Sequence, residues 1–254
     1  MRAHCSALID AAGPACVAVK PQLACFERLG ADGWAALAAT VRHAGDAGLL
    51  VLADGKRGDV SVSAAAYAQA LVGTTVTPFG NVAGLGVDAF TANPLLGIDA
   101  LQPLVDGARA AQAGVFVLVR TSNPGAADVE DLALADGGAP LWERLAQIVA
   151  GFGEGCPHSD AGLADIGAVV GATVPEHVAR MRELMPRSVF LLPGIGAQGG
   201  RVEDLAPAFA PGRAGGLISA SRSIAAAHEA GAGSPAQAAR AEAERLRSAA
   251  WSLS

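Results

Sequence analysis

The chain has 254 residues, 52% hydrophobic and only 17% charged, enough for one large domain or two small ones with a sizeable core; with no linker visible, a single domain over residues 1–254 is expected. Its formal net charge of -6 and pI of about 5.3 argue against a nucleic-acid or anionic-membrane surface, while leaving room for a local cationic pocket. No apolar run approaches a membrane span, and the opening "MRAHCSALIDAAG" lacks a signal-peptide core. Cys5, Cys16, Cys25 and Cys156 show neither a metal-binding nor a redox spacing, so they are expected to be reduced, small apolar fillers in a cytoplasmic protein.

In chain order, the first dozen residues read as the tail of a helix. Then come short apolar runs: "CVAVK" (16–20), "LLVLA" (49–53), "VDAFT" (87–91), "VFVLV" (115–119), "IGAVVG" (166–171), "VFLLP" (189–193) and "GLISA" (216–220). Each is apolar on both faces, as parallel strands covered on two sides are. Between them lie helix-like segments such as "GWAALAATVRHAGDAG", "SAAAYAQALVG" and "PEHVARMRELM". Such alternation predicts an α/β fold, either a (β/α) barrel or a doubly wound sheet. Two glycine-rich stretches, 151–162 and 194–216, read as loops. A closed barrel of this kind has eight strands, and the sequence offers candidates for seven. The few residues between Asp10 and Lys20 are too few for a crossover from an earlier strand.

Polar residues gather where these strands end. Lys20 closes the first run; Asp54, Lys56 and Asp59 follow "LLVLA"; Thr91 and Asn93 follow "VDAF". Ser122 follows "VFVLVR", Gly194 to Gly200 follow Pro193, and Arg222 follows "GLISAS". A lone Asp-x-Lys is commonly a solvated strand end. Repeated at several strand ends, the pattern points instead to a site on the C-terminal face. Two lysines and two aspartates in one dry site keep each other ionised. That array suits a reaction in which one atom loses negative charge and another is protonated.

The segments "AVKPQLACFERLG", "LVLADGKRGDV", "DAFTANPLLG", "FVLVRTSNP", "LLPGIGAQGG" and "SASRSI" resemble the orotidine 5'-phosphate decarboxylase family, in its mycobacterial-like branch. The resemblance runs from about residue 5 to the C-terminus. It implies a TIM (β/α)8 barrel, with seven strands identifiable here, and a homodimer with shared sites. The implied reaction converts orotidine monophosphate to UMP and CO2 without a metal or organic cofactor. Lys20 is similar to the family's second-strand lysine, Asp54 to the aspartate facing the scissile carboxylate, and Lys56 to the acid that protonates C6. Asp59 resembles the aspartate donated to the partner's site, with Ser63 reaching the partner's ribose in place of a threonine. Ser122 resembles the contact to the pyrimidine edge, and Gln198 and Arg222 the phosphate grips. Thr91 and Pro193 complete the implied substrate-binding set.

The sequence departs from the family in two places. It has no "Gly-Ile-Asp-Pro"-like end to a first strand. That leaves open a misplaced start, a seven-stranded barrel, or a non-catalytic relative. Gly55 stands where this branch often has alanine, which is expected to loosen the backbone by ~1 kcal/mol without loss of chemistry. A superfamily sugar-phosphate decarboxylase, which needs magnesium, shares D-x-K-x-x-D but not "VKPQ" or "TSNP". Gly194, Gly196 and Gly199 fit G-x-G-x-x-G, yet the acidic residue expected about 20 positions on, as a dinucleotide site requires, is missing.

Overall fold

The computed structural model of the chain describes residues 1–135, 137–154, 156, 161–230 and 233–253. Two compact units divide it: Met1–Gly114 with Ser221–Arg247, and Val115–Ala220 with Ser248–Ser254.

The first unit opens with α1 (Arg2–Ala12), the helix that the sequence suggests before its first strand. Then follow β1 (Ala18–Val19), α2 (Leu23–Glu27), α3 (Gly30–Asp46), β2 (Leu50–Arg57) and α4 (Ser61–Leu71). A short hairpin of β3 (Thr74–Thr77) and β4 (Gly80–Ala83) precedes β5 (Ala89–Ala92) and α5 (Ile98–Ala110). β1 pairs with β2 and β2 with β5, both in parallel. α3 buries Gly33, Leu37, Thr40, Val41 and Ala44, one stripe at helical spacing. Each fully buried leucine, such as Leu37, contributes roughly 1.5–3 kcal/mol. α4 and α5 lie close together because Gly107 has no side chain; a Cβ there would stand 2.6 Å from that of Ala68.

In the second unit, β6 (Gly114–Arg120) begins at the boundary and is followed by α6 (Leu141–Glu154), β7 (Ile166–Val170), α7 (Pro175–Leu184), β8 (Phe190–Pro193) and β9 (Gly216–Ser219). These four strands pair in chain order, all parallel. Every residue of β7 is buried, as expected of a parallel strand covered on both faces. Gly167 has no room for a side chain: a Cβ would stand 2.6 Å from the Phe116 ring and from the Val189 carbonyl oxygen. The last helices, α8 (Arg222–Ala225) and most of α9 (Pro235–Trp251), belong to the first unit.

All seven apolar runs are strands, but three readings need correction. The second run does not stop at Ala53; β2 continues through the charges to Arg57, with an irregular register after Ala53. The β3–β4 hairpin has no counterpart in the sequence reading, because it is exposed along almost its whole length and so carries no burial pattern. The cysteines are all free, yet only Cys156 is buried and Cys25 is exposed, on α2 between the buried Leu23 and Phe26. Of the stretch 151–162, residues 151–154 belong to α6, while residues 155 and 157–160 lie outside the described residues. No helix among the described residues is long and apolar enough to cross a membrane.

Candidate active site

The first cluster forms where β1, β2 and β5 end. The Asp54 N–H donates to the Pro21 carbonyl at 2.9 Å, which extends the β1–β2 pairing by one bridge and brings Lys20 beside Asp54. Lys20 Nζ donates to Asp54 Oδ2 and Lys56 Nζ to Asp54 Oδ1, each at 2.6 Å. Gln22 Nε2 lies 3.4 Å from Oδ2, and the Thr91 hydroxyl donates to Oδ1 at 3.0 Å. Asp54 is 5% exposed. Burial pushes its carboxyl pKa up, but the two ammonium groups outweigh burial and hold the pKa below the usual carboxylate value. The ion therefore stays charged in a nearly dry setting. The Lys56 side chain is 41% exposed, so the cluster is open to solvent on that side.

The next residue anchors this arrangement. Arg57 forms an ion pair with Glu27 of α2 and sits over the Tyr67 ring of α4, 5.4 Å from its centroid. Gly55 leaves room for two neighbouring side chains. A Cβ there would stand 2.6 Å from Leu23 Cδ1, the end of a fully buried side chain, and 3.3 Å from Arg57 Nε.

Three expected members stand apart from this cluster. Asp59 lies beyond β2 and accepts a hydrogen bond from the Val60 N–H at 2.7 Å; among the described residues it pairs with neither lysine. Ser63 is half-buried on α4. Arg222 is exposed at the start of α8, with no ion pair among the described residues.

In the second unit, the Ser122 hydroxyl meets Gln198 Oε1 at 3.1 Å. Both line a cleft of about 390 Å³ with Arg120, Asn123, Pro124, Thr173 and Val174. The Ser122 loop is held from behind. Buried Arg120 donates to both oxygens of Asp131 at 2.9 Å, and Glu130 accepts from the Thr121 N–H at 2.8 Å. Gln198 belongs to the glycine loop that follows Pro193, the last residue of β8. That loop folds back on itself: the Gly200 N–H donates to the Gly194 carbonyl and the Gly196 N–H to the Gly200 carbonyl, each at 3.0 Å. Gly194, Gly196 and Gly199 have φ of 105, 73 and 94°, where a side chain is strained. The loop leads into a 3-10 segment over Val202–Phe209, not the α-helix that a dinucleotide site opens.

The sequence reading missed Gln22, Glu27, Arg120, Glu130 and Asp131. Gln22, Glu27 and Arg120 lie inside the segments that carried the resemblance; Glu130 and Asp131 had no signal of their own. Among the described residues, no group of three or more His, Cys, Asp or Glu side chains is placed to hold a metal ion.

Parallel strand–helix units carrying a carboxylate clamped between two ammonium groups make a candidate lysine–aspartate site on an α/β scaffold. The family model for orotidine 5'-phosphate decarboxylase / HUMPS matches residues 2–241, and the chain belongs to that family. An orotidine 5'-phosphate decarboxylase of Deinococcus radiodurans is 46% identical over 217 residues, covering 85% of this chain and 74% of the relative. One of Rhodopirellula baltica is 40% identical over 228 residues, covering 89% and 72%. The structure of Leishmania donovani OMP decarboxylase superposes with a TM-score of 0.74 at 33% identity, covering 98% of this chain and 87% of that one. The fold class is thus the TIM (β/α)8 barrel, with seven parallel strands among the described residues of this chain.

Proposed function

We propose that this chain decarboxylates orotidine 5'-phosphate to UMP and CO2, the last step of de novo UMP synthesis. The observation that carries the reading is the buried Asp54 carboxylate held 2.6 Å from both Lys20 Nζ and Lys56 Nζ. The relatives of that name, at 40 and 46% identity, support it.

In this reading Asp54 faces the substrate carboxylate and repels it. The bond from C6 to the carboxyl carbon breaks, CO2 leaves, and the electron pair stays on C6. The Lys56 ammonium stabilises that pair and passes it a proton, and the neutral amine recovers a proton from solvent. A bound pyrimidine covers the exposed part of the Lys56 side chain, and exclusion of water strengthens the attraction. Lys20 holds Asp54 ionised and touches the ribose. Ser122 reads the pyrimidine edge with Pro193 beside it, and Gln198 and Arg222 hold the phosphate. Phosphate binding, remote from the breaking bond, orders the site around the reacting carbon.

The reading includes a homodimer in which Asp59 and Ser63 serve the partner's site. Asp59 stands outside its own chain's array, which fits that role. The unit that carries Asp59 also exposes apolar side chains that water does not favour: Phe79 at the hairpin tip is 99% exposed, Val62 84% and Val76 80%. A cytoplasmic location goes with this reading, and four free cysteines fit it.

The test is the ultraviolet absorbance of orotidine 5'-phosphate incubated with the purified chain, beside Lys56→Ala. Loss of substrate absorbance with the wild-type chain only is the expected result. Equal activity in the two would remove Lys56 from the reaction, and no activity in a folded wild-type chain would overturn the reading.

A further inference from the structure

The charge array contains one strained residue. Lys56 has φ of 47°, in the left-handed region that a side chain rarely occupies. The strain has a local origin in the register of β2 against β5. Ala53 pairs with Phe90 and Arg57 with Ala92, so three residues of β2, Asp54 to Lys56, face the single residue Thr91. A bulge of this kind re-aims side chains and takes backbone groups out of the ladder. Here it turns both Asp54 and Lys56 toward one point and leaves the Lys56 N–H without a strand partner.

Thr91 fills that gap. It is 1% exposed. Its Oγ1 accepts the Lys56 N–H at 2.8 Å and lies 3.0 Å from Asp54 Oδ1. An amide N–H only donates, so the hydroxyl must accept there; its single proton is then free to donate to the carboxylate. The same Oδ1 accepts the Lys56 ammonium at 2.6 Å. Main chain and side chain of Lys56 therefore close on one oxygen atom, with Thr91 completing the ring.

We propose that Thr91 is a positioning residue for the reaction: its hydroxyl ties the Asp54 carboxylate to the left-handed backbone of Lys56 and so fixes where the proton-donating ammonium stands. This rests on the reading of Lys56 as the proton donor. It gives Thr91 a different task from a substrate contact, for which its buried hydroxyl, already donating and accepting, has little left to offer.

The experiment compares Thr91→Val, which keeps the branched shape and removes the hydroxyl, with Thr91→Ser, which keeps the hydroxyl. Thr91→Val should lower kcat about 10–100-fold, the scale of a small misplacement of a reacting group, with KM nearly unchanged. Thr91→Ser should restore most of kcat. Independently of turnover, carbon-13 NMR of the Asp54 carboxyl should show its titration moving to higher pH in Thr91→Val and not in Thr91→Ser. Because the NMR arm needs no substrate, a wild-type chain that fails to decarboxylate overturns the proposed function and still leaves the Thr91–Asp54 link decided. A raised KM at constant kcat would make Thr91 a substrate contact and overturn the proposal. So would an unchanged Asp54 titration in Thr91→Val, or failure of serine to rescue. If the valine variant does not fold, Thr91→Ala reads the same quantities.

Discussion

Replacing Arg182 with methionine should destabilise the chain even though it removes a buried charge. Arg182 of α7 is 7% exposed and has no carboxylate partner among the described residues. Its guanidinium donates to four carbonyl oxygens, those of Met185 at 2.9 Å, Ser188 at 2.7 Å, Ala208 at 2.7 Å and Gly215 at 3.0 Å. Its flat face lies 3.7 Å from the centroid of the Phe190 ring. Burial pushes its pKa down to about 10, so it stays charged at neutral pH and the four bonds are charge-assisted. Such bonds contribute about 1.5–3 kcal/mol each, set against a cost of several kcal/mol for burying the ion. The net loss in Arg182→Met is about 3–5 kcal/mol once carbonyls are left unpaired. For a chain of this size that corresponds to a fall in Tm of about 6–20 °C. Thermal unfolding followed by circular dichroism measures it. An unchanged or raised Tm would show that burying the charge costs more than the four bonds return, and would refute the reasoning.

Three further outcomes are expected. Mixing Lys56→Ala and Asp59→Ala chains, each inactive alone, should recover up to about a quarter of wild-type activity, since half of the random dimers then contain one intact site; no recovery with subunit exchange confirmed would refute a shared site. Arg222→Ala should weaken binding of UMP far more than binding of uridine, read by calorimetry, whereas equal losses would place Arg222 away from the phosphate. The depressed Asp54 pKa makes the unfolded chain the better proton binder at low pH. Its stabilising contribution is thus full above the unfolded value of about 3.9 and is lost as pH falls through the lower folded value. Urea midpoints should therefore fall less steeply below about pH 4 in Asp54→Asn than in wild type, and matching slopes would contradict the assignment.

The parallel strands were legible because burial on both faces leaves uninterrupted apolar runs; β7, buried throughout, is the clearest. The helices were legible through their periodic stripes. The Thr74–Ala83 hairpin was not, since its strands are exposed and impose no alternation on the sequence. The candidate site was legible as a set of residue types at strand ends, but not as a set of contacts. Lys20 and Asp54 are 34 positions apart and Thr91 and Asp54 are 37 apart; only the pairing of β1, β2 and β5 makes them neighbours. The charges inside β2 read as the end of the strand, whereas a bulge facing Thr91 lets the strand run on. The approach of Leu23 to Gly55 was likewise invisible in the sequence, since it depends on how α2 packs on β2.

The central claim is that Lys56 delivers a proton to the carbon that loses CO2. The most direct measurement is a turnover of orotidine 5'-phosphate in D2O, with the product analysed by mass spectrometry and proton NMR. The account predicts UMP with a single deuterium at C6, formed by the wild-type chain and not by Lys56→Ala. UMP bearing hydrogen at C6, or deuterated UMP formed at the wild-type rate without Lys56, would contradict it.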